Sequence, residues 1–139
     1  MDTSSWPLVV VAFLGAPRDE DWAAMFAAYE EWYRRREPFH VVNDTAGLHA
    51  VPNAAQRKLI AEKAREHEGM SRKWIVGSAT VVSSALVRGA LTAITWLAPP
   101  VYHLTLCASL DEAMHVARRA LERRGLRVPP RAGGLASNG

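Results

Sequence analysis

The chain holds one cysteine, Cys107, in 139 residues. A lone thiol excludes an internal disulfide framework and any thiolate zinc cluster. Glycine is also thin where nucleotide binding would need it. Only Gly15 follows the first apolar run, and neither a Walker loop nor a Gly-x-Gly-x-x-Gly pattern occurs. The Gly-x-Ser-x-Gly elbow of a serine hydrolase is missing too. No apolar run approaches the roughly 20 residues of a membrane span. Lysine is scarce, three against fourteen arginines, and nothing in the sequence explains that bias. The net charge of +3 is uneven, because Arg127 and Arg131 supply +2 from a stretch without acids. The remainder is nearly neutral, and its arginine clusters (34–36, 118–119, 123–124) fall at predicted helix ends, where cations complement the helix dipole. No nucleic-acid partner is expected.

What is present is ordinary for one globular domain: 49% hydrophobic and 22% charged residues. Four short apolar runs alternate with four helical patterns. Strands are predicted over 8–13, 39–43, 74–82 and 102–107, the first a continuous β-branched run suited to burial on both faces. Helices are predicted over 19–36, 53–68, 84–97 and 109–125. Asn53 with Gln56 and Ser109 with Glu112 form capping boxes, and Ser84 caps the third helix. The expected fold is therefore α/β, β-α-β-α-β-α-β-α, with a four-stranded, mainly parallel sheet and four helices. Residues 1–125 form the domain, and 126–139 read as a disordered tail. Residues 1–17 carry an apolar run but Asp2 and no leading basic residue, so no export signal is read and a cytoplasmic location is expected.

Candidate chemistry is sparse. Cys107 late in an apolar strand reads as a buried hydrophobe. Glu112 and His115 form one Glu-x-x-His without the companion ligands a metal centre needs, so no metal and no cofactor are expected. His40 and His103 fall in strands and read as satisfied core or edge histidines. The aromatic stripe of the first helix (Trp22, Met25, Phe26, Tyr29, Trp32, Tyr33) reads as core. Open α/β sheets bind ligands beyond their strands' carboxyl ends. That singles out Asp44, Thr45, His49, Asn53, Ser83 and Ser84 as a partner-binding loop cluster. The third helix is unusual in having only Arg88, Thr92 and Thr95 to face water. Ala85, Arg88, Gly89, Thr92, Ala93 and Trp96 are its candidate surface for self-association or for an apolar ligand.

Three segments carry a resemblance. Trp6-Pro7-Leu8-Val9-Val10-Val11, Pro52-Asn53-Ala54-Ala55-Gln56-Arg57, and Leu86-Val87-Arg88-Gly89-Ala90-Leu91-Thr92-Ala93 with Trp96-Leu97-Ala98-Pro99-Pro100 resemble bacterial SpoIIAA-like proteins of the STAS type. The resemblance implies a STAS-like α/β fold, related to the lipid-binding CRAL-TRIO domain, and a regulatory binding module. STAS antagonists are switched by phosphorylation in an Asp-Ser-x-Gly motif, which Asp44-Thr45-Ala46-Gly47 matches by letters. Pro52 argues against Thr45 as a helix cap, so a phosphoswitch is not expected there. The leading expectation is a non-enzymatic protein-interaction module that binds a protein partner, itself included, as a homodimer. One alternative is a carrier or peripheral binder of an apolar small molecule or lipid. The other is an enzyme of unknown type built on Asp44, His49 and Arg88.

Overall fold

A computed structural model describes residues 1–129 of the chain. The element order is β1 (Asp2–Ser5), β2 (Leu8–Gly15), α1 (Asp19–Arg34), β3 (Phe39–Leu48), α2 (Ala54–Glu66), α3 (Glu68–Trp74), β4 (Ile75–Val81), α4 (Ala85–Leu97), β5 (His103–Cys107) and α5 (Leu110–Arg123). The fold is α/β, with five strands in the order β1-β2-β3-β4-β5. β2 to β5 run parallel, and β1 pairs antiparallel at the edge of β2. The sheet is thus mixed and five-stranded rather than four-stranded and mainly parallel, and five helices replace four.

Each difference has a physical source. β1 reads Asp-Thr-Ser-Ser and has no apolar periodicity; its strand conformation comes from pairing with residues 8–10. Gly69 resembled a helix terminator, yet it lies inside α3, and the break falls at His67. β3 extends five residues past Asn43, through Asp44, Thr45 and Gly47, which locally favour turns. Thr45 is held in place by its hydroxyl, which donates to the Val81 carbonyl at 2.5 Å. Replacing Thr45 with valine is expected to cost about 1 kcal/mol, the net worth of one such bond, measurable by urea unfolding. A variant as stable as the wild type would show that the strand extension does not depend on this contact.

Strands that advance in one direction with right-handed crossovers place all crossover helices on one face. Here α1, α2–α3 and α4 share that face, and α5 covers the other. α5 presents Ala113, Ala117 and Leu121, all fully buried, to Leu8, Val10, Val42, Ala79, Val81 and Cys107. The small alanines let α5 lie close to the sheet. Leu126 and Val128 pack against the same core, and the Leu126 amide donates to the Leu121 carbonyl at 3.0 Å. Most of the expected tail, 130–139, lies outside the described residues. On the opposite face, Trp32 and Tyr33 of α1 close over Val9, Val11, Phe39, Val41 and Ile75. α4 makes its close helix contact with α2 and stands off the strands. Among the described residues no helix is long and apolar enough to cross a membrane.

Candidate functional site

Of the carboxyl-end loop cluster singled out from sequence, only Thr45 lines the cavity under α1, α2 and α4. Because the strand order never reverses, the sheet has no switch point at which a crevice would open beyond the strand ends. The loop residues are committed to local structure. Asp44 Oδ1 accepts from the Ala46 amide at 3.0 Å, and Asn53 and Ser84 cap α2 and α4. The His49 amide donates to the Gly15 carbonyl at 2.7 Å, while Ser83 is exposed. Among the described residues no hydrogen bond or ion pair joins Asp44, His49 and Arg88. Nor does any group of three or more His, Cys, Asp or Glu side chains stand where it could hold a metal ion.

A cavity of about 220 Å³ lies instead between the crossover face of the sheet and α1, α2 and α4. It exists because large side chains hold these helices off the strands. α1 contributes Trp22, Met25, Phe26, Tyr29 and Tyr33, members of the stripe whose helical spacing reads as core. Trp22, Phe26 and Tyr33 are indeed buried, but they also form one wall. α4 contributes Val87, Ala90, Leu91, Ile94 and Thr95, and Ile60 and Ala64 come from α2. None of the six α4 residues proposed from sequence lines this space. Ala85, Arg88, Gly89, Thr92 and Trp96 are exposed, and Ala93 is half-buried. Apolar residues lie on both sides of α4, so polarity alone does not single out its inner face.

The floor is polar where the walls are not. Alternation along the strands sends Val42, Ala79 and Val81 toward α5, and Asn43, Thr45, Ser78 and Thr80 into the cavity. Thr45, the one loop-cluster residue on the cavity wall, already donates to Val81. Asn43 Nδ2 reaches Thr80 Oγ1 at 3.5 Å, a long contact. Ser78 is 2% exposed, and its hydroxyl has no hydrogen-bond partner among the described residues. The Trp22 indole nitrogen and His67 Nδ1, also on lining residues, are unpartnered as well. Three unsatisfied polar atoms around one void are uncommon, since nearly all buried polar groups find partners.

The lining tyrosines are held neutral. Burial, with smaller contributions from Tyr102 and Tyr33, raises the Tyr29 phenol well above its usual value. Tyr102 is raised by burial, and Tyr33 is pushed up to about 12, mainly by burial. The Tyr33 hydroxyl shares a 2.8 Å hydrogen bond with Ser71 Oγ. The cavity lining also includes Arg65, His67 and Glu68. His67 Nε2 pairs with Glu30 at 3.1 Å. Arg65 donates through Nε and Nη2 to the Leu97 carbonyl at 3.2 and 2.6 Å. This contact caps α4, which has no basic residue in its own last turn.

The other candidates resolve individually. Cys107 is buried against α5, and desolvation and Glu112 raise its thiol pKa, which disfavours the nucleophilic thiolate. His115 and His103 are exposed. His40 is not the satisfied core histidine expected, for it is 2% exposed and its Nδ1 has no partner. No family model matches the chain, and neither a curated protein nor a solved structure is recognisably similar to it.

Proposed function

We propose that the protein is a non-enzymatic binder of an apolar small molecule, held in the cavity between the sheet and α1, α2 and α4. The cavity carries this reading: about 220 Å³, walled by aromatic and aliphatic side chains. An engineered cavity of about 150 Å³ lined by Leu, Ile and Phe stays dry and takes up benzene. The larger space here suits one or two fused rings. Few pockets of this kind occur per protein, and they are largely preformed. Naphthalene, titrated to its solubility limit and followed by amide chemical shifts, is expected to bind with shifts confined to the lining residues. Ala90→Phe places a ring in the cavity from the α4 side and is expected to weaken that binding at least tenfold with an unchanged circular dichroism spectrum. Absence of binding to the wild type would overturn the carrier reading.

A second reading has its own observation. On the outward face of α4, Leu86 is 73% and Trp96 83% exposed, with Leu97 beside them. Such faces are commonly interaction surfaces, and this one supports the protein-binding, self-associating module that a STAS-like protein would be. A side chain added at Gly89 meets nothing within 4 Å, so Gly89→Arg fits the monomer without strain. If the protein is a dimer through α4, that variant is expected to be monomeric by light scattering with its helix content intact. A wild type that stays monomeric at high micromolar concentration would exclude this reading.

A further inference from the structure

We infer that the ligand is an uncharged ring compound bearing one hydroxyl or carbonyl group, and that this group pairs with the Ser78 hydroxyl on the cavity floor. The inference rests on the carrier reading and adds the chemistry of the ligand to it. Ser78 sits at mid-sheet, flanked by Val41 and Leu104 in the ladder. Neither flanking side chain can accept or donate a hydrogen bond. Its own strand alternation points it into the cavity, since Ala79 faces α5. The hydroxyl is buried, and no described residue satisfies it. A buried hydroxyl without a partner costs free energy, and a ligand atom that supplies the partner recovers it. As both donor and acceptor, a serine hydroxyl serves an alcohol, a phenol or a ketone equally well.

The surroundings decide against a charged ligand. The floor offers amide and hydroxyl groups, and the lining tyrosines Tyr29 and Tyr102 are held in their neutral form by burial. Of the two charged lining residues, Arg65 gives two of its N–H groups to the Leu97 carbonyl, and the Glu68 carboxylate would repel an anion. A carboxylate at Ser78 would be a desolvated charge flanked in the ladder by Val41 and Leu104, neither of which carries a counter-charge. Trp22, whose indole nitrogen is also unpartnered, can only donate. A second acceptor on the ligand would find it, but the assignment rests on Ser78.

The experiment titrates naphthalene, 2-naphthol and 2-naphthoate into the wild type and into Ser78→Ala, by chemical shift or calorimetry. Ser78→Ala is expected to weaken 2-naphthol about tenfold and leave naphthalene within twofold, the signature of a pairwise contact. 2-Naphthoate is expected to bind the wild type at least tenfold more weakly than 2-naphthol. Without ligand, Ser78→Ala should melt no lower than the wild type, because it removes an unsatisfied group. A melting temperature lowered by several degrees, or failure to fold, would show that the hydroxyl is already partnered and overturn the inference. An unchanged 2-naphthol affinity in Ser78→Ala would overturn it as well, and tighter binding of 2-naphthoate would overturn the uncharged assignment. In those cases naphthalene binding still supports the carrier reading. Failure of all three probes on the wild type would remove both.

Discussion

Phe39→Ala is expected to destabilise the protein by about 3–5 kcal/mol, the range for deleting a buried aromatic ring. Phe39 is fully buried at the start of β3. Its ring meets Trp6 at 5.1 Å, Tyr33 at 5.9 Å and, edge-on, Trp32 at 6.0 Å between centroids. Each such aromatic pair adds about 0.5–1.5 kcal/mol beyond the area it buries. The neighbours cannot collapse into the gap: Tyr33 is tied to Ser71, and Trp6 donates to Glu37 at 2.7 Å while Arg35 lies over its ring. The variant therefore keeps a void, which is the larger part of the penalty. Against a total stability of about 5–15 kcal/mol, a loss of this size is plain in a urea titration. A midpoint within about 1 kcal/mol of the wild type would mean that the cluster is loosely packed. Leu106→Ala, at a 40% exposed position, is the control that should cost far less.

The parts of the fold that were legible in the sequence are those whose cause is local. Asn53 with Gln56 reads as a capping box because both hydrogen bonds close within four residues, and the structure has both. Ser84 and Ser109 likewise accept from the amides three residues on. The continuous run from Leu8 reads as a two-face-buried strand, and Val9 and Val10 face opposite cores. β1 and the end of β3 were not legible, because polar residues there become strand through partners far away in the chain. At Ser109 only one half of the box forms: Ser109 Oγ accepts from the Glu112 amide, while the Glu112 carboxylate accepts from the Ala108 amide.

The site was hidden for a different reason. A cavity is set by how far three helices stand from a sheet, and no single helix encodes that distance. The alternation that puts Ser78 and Thr80 on one face was readable. What that face meets was not. The aromatic density of α1 was the available signal: Trp22, Phe26 and Tyr29 recur at helical spacing and line the cavity. In α4 the exposed stripe of small residues drew attention outward, although Val87, Ala90 and Ile94, one helical turn apart, already marked the inner side.

Acid is expected to destabilise the protein through one residue, His40. Burial holds its imidazole down at about 4, against an ordinary value of 6.5. The side chain lies against Gly77, where a Cβ would stand 3.4 Å from Nε2, and it is 2% exposed. The hollow next to it is bordered by His103, His115, Arg119, Arg123 and Arg124 and by no acid, so only a backbone contact at Val41 favours the imidazolium, and burial outweighs it. Above pH 6.5 the ring is neutral in both folded and unfolded chains, and the full stability is present. Between 6.5 and 4 the unfolded chain takes up a proton that the folded one refuses, so stability falls as the pH falls. From pH 7 to 4.5 the loss is about 2–3 kcal/mol, at about 1.4 kcal/mol for each unit of the window. The described ion pairs involve exposed carboxylates and add little over this range. His40→Leu removes the titrating ring and its unpartnered nitrogen together, and should keep the wild-type stability at pH 7 while flattening the slope. Urea unfolding of both proteins at pH 7, 5.5 and 4.5 separates the outcomes. Equal slopes would show that His40 is protonated in place without cost, and that the acid sensitivity arises elsewhere.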